Sequence, residues 1–232
     1  MNSLEEFRYY LNSINNLIEI ASNLSKESTK IDLDLIRALQ AGSLVLMVST
    51  FQNFLQKVIE ENIPRLNTEI KKFDLEKFPS SLLLHNYLSS FELAKIASND
   101  KTVKIHNIRK CASNICDNLF SWEAFVDKRL PSPGNIKEMF EVLDKSEIFI
   151  VLRIRYSQKT TNRCSETYIQ DMLNNIISRR NTIAHNYIDK LNLTINDIKS
   201  YYDFLNNIAE IIYGEYVEHI DYIIGQSKPL FA

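Results

Sequence analysis

Apolar residues recur along most of this chain every three or four positions, the spacing of one face of an α-helix. Leu4, Phe7, Leu11, Ile14, Ile18 and Ala21 form a first stripe, which predicts a helix ending around the polar run Lys26–Lys30. A central helix is expected from about Asp32 to Asn62, where Pro64, with no backbone N–H to donate, argues for a break before a shorter helix reaches about Lys72. Further helices are predicted over Leu82–Ser98, over Lys101–Arg129 with Ile105, Ile108, Ile115 and Leu119 as its apolar side, and over Asn135–Asp144, after the stop signal PSPG at Pro131–Gly134. The stretch IFIVLRIRYSQ, Ile148–Gln158, departs from this rhythm: apolar and basic residues alternate, which suits a strand or an irregular loop.

Two helices are expected to close the chain. The first starts with Ser165 as its N-cap and ends near His185, where Asn186 tolerates the left-handed conformation of a helix terminus. The second starts at Thr194, with Asp197 three residues on, and reaches about Gly225 through Ile198, Tyr201, Leu205, Ile208, Ile212 and Tyr216. With only 4 Gly and 5 Pro to punctuate the chain, and no repeat or low-complexity linker, the pattern predicts an all-α fold in one domain spanning residues 1–232.

Composition narrows what such a fold could do. A formal net charge of −2 gives no global positive field toward nucleic acid or an anionic membrane, so any such contact must be local. Cys111, Cys116 and Cys164 are odd in number and lack metal-ligand spacing, which predicts neither disulfides nor a metal site and suits a reducing cytoplasm. The opening MNSLEEFRYYLNS lacks the basic start and apolar run of an export signal. Between Arg37 and Lys57 there is no charge, yet Gln40, Ser43, Ser49, Thr50, Gln52 and Asn53 interrupt the run, so a buried core helix is expected rather than a membrane span. Its Ala41, Gly42 and Ser43 are small enough to let another helix approach closely.

The stretch SRRNTIAHNY, Ser178–Tyr187, is the chemical candidate. On spacing alone it reads as a helix end, since arginines complement the helix dipole and a histidine can bond the last free carbonyls. A second reading comes from the order of segments: LQAGSLVLMVSTFQNFL, then PSPGNIKEMFEVL, then RRNTIAHN, then a last amphipathic helix. This order resembles the HEPN superfamily, in particular its bacterial stand-alone branch associated with RNA ligase domains and defence genes (the RiboL-PSP-like branch), over roughly residues 5–225.

The resemblance implies a HEPN-like helical bundle with extra helices. It also implies a metal-independent endoribonuclease, a toxin or anti-phage effector, working as a homodimer whose two motifs line one cleft. The family's arginine, polar residue and histidine fall on Arg180, Asn181 and His185. Histidine titrates near neutrality and can move the proton of a ribose 2′-hydroxyl, whereas a guanidinium holds two phosphate oxygens without losing its charge. His185 is thus expected to transfer protons, Arg180 to meet transition-state charge, and Asn181 to orient either partner, with no cofactor or metal. Arg155, Lys159, Arg163 and Arg179 are candidate RNA contacts in a locally basic window that also holds Arg153.

The other expected partners are the RNA substrate and an antitoxin or defence-system protein; no membrane is expected. Because five residues turn about 140° on an ideal helix, Arg180 and His185 can converge only at a frayed end or across a dimer, whose contact is expected around Ile176, Ile177 and Ile183. Relatives often carry an acid on the buried helix just after its aromatic residue, where this chain has Gln52 after Phe51. That departure keeps open a different class of function, a non-catalytic adaptor binding protein or RNA. His85, His106 and His219 lack a matching arginine motif and are expected at the surface or core edge, and Trp122 in the core.

Overall fold

The computed structural model describes residues 1–26, 30–70, 78–95, 100–116, 119–120, 131–185 and 193–227. Among them are eight helices and no strand: α1 (Ser3–Leu24), α2 (Lys30–Ile70), α3 (Ser80–Lys95), α4 (Lys101–Cys116), α5 (Pro133–Glu141), α6 (Ile148–Thr160), α7 (Tyr168–His185) and α8 (Ile195–Ser227). The chain divides into two compact units, residues 1–55, 129–136 and 147–213 in the first and 56–128, 137–146 and 214–232 in the second.

In the first unit the α1 stripe behaves as its spacing predicts, with Leu4, Phe7, Leu11, Ile14, Ile18 and Ala21 all buried. Asn2 and Glu5 close its N-terminus reciprocally, each side chain accepting from the other's backbone N–H at 2.9 Å. Phe7 then meets Phe51 and Phe54 of α2 at ring-centroid distances of 6.0 and 5.0 Å. Leu44, Met47, Val48, Phe51, Phe54 and Leu55 give α2 a buried face, as expected of a core helix, although Leu33–Glu69 is long and apolar enough to cross a membrane.

Gly42 is not the close-approach site expected of it, since a Cβ there would meet nothing within 4 Å. Gly214, inside α8, is equally open. Gly214→Ala is therefore expected to stabilise the protein by roughly 0.5–1 kcal/mol, because alanine gives up less backbone freedom in a helix. A raised midpoint in thermal or urea unfolding checks this; a lowered one would mean that the site is crowded.

The segment expected as a strand or loop near residues 148–158 is helix α6. Ile148, Leu152 and Tyr156 are buried at i, i+4 and i+8, whereas Ile150 and Ile154 face outward. Five apolar residues at every second position thus contain a period-four subset, and the neighbouring elements bury only that subset. Tyr156 packs on Tyr168 of α7 and Phe204 of α8, with centroids 5.7 and 5.6 Å away. Thr161, at φ 57°, ends α6 in the left-handed region.

Helix α7 starts at Tyr168 rather than after Ser165, with the Asp171 N–H bonded to Thr167 O at 2.9 Å. Asn186 and Trp122 lie outside the described residues. Helix α8 has the capping box its sequence announced. The Thr194 N–H donates to Asp197 Oδ2 at 2.9 Å and the Asp197 N–H to Thr194 Oγ1 at 3.1 Å. Buried Gln40 braces this start, its amide donating to Leu193 O at 3.1 Å and accepting from Ile195 N at 3.2 Å in the orientation that satisfies both.

In the second unit, Pro64 does not break α2, which runs on to Ile70. Ile59, Ile63 and Leu66 are buried on either side of the proline, and that burial offsets the roughly 3 kcal/mol an interior proline costs. The Asn62 side chain donates to Val58 O at 2.8 Å, close to where the ladder is interrupted. Helix α4 ends at Cys116, well short of Arg129, and its Ile105 and Ile108 are exposed rather than buried. Residues 119–120 are held out of the helix by amides. Asn67 bonds both the N–H and the carbonyl of Phe120, at 2.7 and 2.9 Å, and Asn86 donates to Leu119 O at 3.0 Å. Lys145 pairs with buried Glu215 at 2.6 Å, and His219 Nε2 donates to Leu143 O at 2.7 Å. Back in the first unit, in the PSPG stretch, Ser132 Oγ accepts from the Asn135 N–H at 3.2 Å with Pro133 first in helix α5.

Candidate functional site

Helix α7 buries Ile169, Leu173 and Ile176, a stripe at i, i+4 and i+7. The next position on that stripe is residue 180, about 20° from Ile169 around an ideal helix. The sequence puts an arginine where the pattern calls for a leucine. Arg180 is half-buried, its Nε is shut off from solvent without a hydrogen-bond partner, and its Nη1 donates to Asn181 Oδ1 at 3.2 Å. Among the described residues no carboxylate neutralises it. A guanidinium so placed bears part of its desolvation cost without the compensating ion pair, and an incoming anion would supply one.

Its neighbour Arg179 stands in contrast. Arg179 Nε donates to Asn175 Oδ1 at 3.1 Å, Nη1 lies 4.0 Å from Asp197 Oδ2, and the guanidinium sits 5.9 Å from the centre of the Tyr201 ring. Asp197 is held below the usual carboxylate range chiefly by its hydrogen bond from the Thr194 backbone, with Arg179 adding to the effect. Arg179 thus ties α7 to the start of α8. Lys159 is likewise engaged, 2.5 Å from Glu210 Oε1, and Arg8 joins the same carboxylate. Hydrogen bonding from Lys159 is the largest cause holding the Glu210 carboxyl low. Arg155 and Arg163 are exposed. A tally of charges along Leu152–Asn181 cannot see Asp197 and Glu210, because both reach back from α8.

The structure brings Arg180 and Asn181 together and leaves His185 apart. Helix α7 is regular to its end, so His185 lies about 140° around from Arg180, exposed on the opposite side. With His185 still inside α7, the pair does not converge within the described helix. Ile176 is part of the core and has no surface to offer a dimer, whereas Ile177 and Ile183 are half-exposed. Gln52 is half-buried on α2 beside Phe51. Outside α7, His106 is exposed, His85 is half-buried, and His219 is stacked on Tyr222 and held below its ordinary range by burial.

The family model described as RiboL-PSP-HEPN matches residues 5–218, from the first turn of α1 to most of the way along α8, and therefore includes the whole of α7. No curated protein and no solved structure matches the chain. A match over so much of an all-α chain, with the Arg180, Asn181 and His185 helix inside it, places this protein in the RiboL-PSP-HEPN family.

Proposed function

We propose that the protein is a metal-independent endoribonuclease, a toxin or defence effector of the cytoplasm that acts as a homodimer and is restrained by a partner protein. The observation that carries this reading is Arg180: a cation on the core-facing stripe of α7, its Nε unpartnered, and without a carboxylate among the described residues. Charge with no internal use is suited to a phosphate. In the reaction the ribose 2′-oxygen forms a bond to phosphorus while the bond from phosphorus to the 5′-oxygen breaks. His185, supplied to Arg180 by the partner chain, takes the 2′-proton, and water gives one to the leaving oxygen. Arg180 meets the charge that builds on the non-bridging oxygens, and Asn181, already bonded to it, fixes its plane. The exposed Arg155 and Arg163 would guide the strand electrostatically.

Gln52 favours a second reading, an adaptor that binds through the same dimer without cutting, because an amide cannot stabilise a charged imidazole as an acid does. Incubating the purified protein with total RNA separates the two. Cleavage that persists in EDTA, leaves 2′,3′-cyclic phosphate ends and spares DNA of the same sequence is expected, since DNA lacks the attacking hydroxyl. RNA that is bound but intact would favour the adaptor, and cleavage abolished by EDTA would contradict the mechanism.

A further inference from the structure

Within the second unit, α3 and α4 pack against each other yet leave apolar side chains in water. On α3, Leu84, Leu88 and Phe91 are exposed at i, i+4 and i+7, with Leu88 at 56%. On α4, Ile105 and Ile108 are exposed, the latter at 57%, in line with the exposed Lys101 and Ala112 on one side of that helix. Single exposed leucines are ordinary, but two such stripes on one helix pair mark an interaction surface.

Charge identifies what would cover it. Helix α4 contains no acid, and its Lys101, Lys104 and Arg109 are exposed with no carboxylate partner among the described residues. Two described acids close by in sequence are engaged: Asp100 caps the Thr102 N–H at 2.8 Å, and Glu92 pairs with Lys95 at 2.6 Å. A second copy of this chain would set the same three cations against themselves in a two-fold contact. RNA would satisfy the cations but gain nothing from leucine and isoleucine. An anionic membrane would meet only three cations on a chain of net charge −2. What remains is a segment with an apolar stripe flanked by acids, laid along the helix pair as one amphipathic helix docks in a groove.

We propose that the exposed side of α3 and α4 is the docking face for an acidic amphipathic helix of a partner protein. The inference stands apart from the chemistry assigned to Arg180 and His185. The probe is a fluorescent peptide of about three heptads with Leu at the two apolar positions and Glu flanking them, whose like charges keep it from pairing with itself. Fluorescence anisotropy with the full chain should show saturable binding, and a peptide with Lys in place of the flanking Glu should not bind. Reversing Lys101, Lys104 and Arg109 to Glu should weaken binding roughly tenfold or more, as should Leu88→Ser combined with Ile105→Ser. All five side chains are exposed, so circular dichroism and unfolding midpoints should not change. No binding at about 100 µM peptide, a free energy weaker than most recognised segments achieve, would overturn the proposal. So would equal binding by the variants, a change of oligomeric state on charge reversal, or pelleting with phosphatidylserine vesicles in place of peptide binding.

Discussion

Arg180→Ala and His185→Ala should each lower RNA cleavage by roughly 100- to 10,000-fold, the range over which single proton-transfer and charge-stabilising groups act. Growth toxicity should fall with it. Stability should move in the opposite sense to the usual one for Arg180. Its Nε is buried without a partner, so alanine removes an unsatisfied donor, and the unfolding midpoint should stay level or rise. His185 is exposed, and its loss should leave the midpoint unchanged. Arg180→Lys should not rescue, because an ammonium cannot hold two phosphate oxygens in one plane. The control is His219→Ala, which should cleave normally while losing some stability with its 2.7 Å bond to Leu143 O. Wild-type cleavage by either motif variant would remove that residue from the chemistry, and two unfolded variants would return α7 to a purely structural role.

Phe51→Ala should cost about 3–5 kcal/mol, the range for truncating a buried aromatic. The ring is buried and lies 6.0 Å from Phe7 and 5.9 Å from Phe54, so its removal leaves a cavity walled by two rigid rings. Urea unfolding should show a lower midpoint, and Phe51→Leu should recover most of the loss by refilling the space. A change below about 1 kcal/mol would mean that α1 and α2 can close over the gap. The pair of results also separates fold from chemistry: Phe51→Ala is expected to lose activity by unfolding, and Arg180→Ala while folded.

Much of the fold is legible in the chain because burial follows the helical period. The α1 stripe from Leu4 to Ala21 and the Thr194–Asp197 cap of α8 need nothing beyond local spacing. Misreadings arise where one local pattern admits two outcomes. Residues 148–156 satisfy period two and period four together, and Pro64 signals a stop that the burial of Ile63 and Leu66 overrides. Residues 119–120 are held by the distant side chains of Asn67 and Asn86, which no window around Leu119 reveals. The site divides in the same way. That Arg180 falls on the stripe of Ile169, Leu173 and Ile176 can be counted off the sequence, as can its angle to His185. That Asp197 and Glu210 occupy Arg179 and Lys159, leaving Arg180 without a carboxylate among the described residues, depends on how α8 folds back.

The regular helix through His185 makes the account a two-chain one: arginine and histidine diverge within a chain, so each cleavage site is proposed to join Arg180 of one chain to the partner's His185. Mixing the inactive Arg180→Ala and His185→Ala proteins under conditions that exchange subunits tests this most directly. An equal mixture yields about half mixed dimers, each with one intact pair of its two, so roughly a quarter of wild-type cleavage should return. Cleavage that stays absent while mixed dimers are shown to form would contradict the account, as would a fully active monomer.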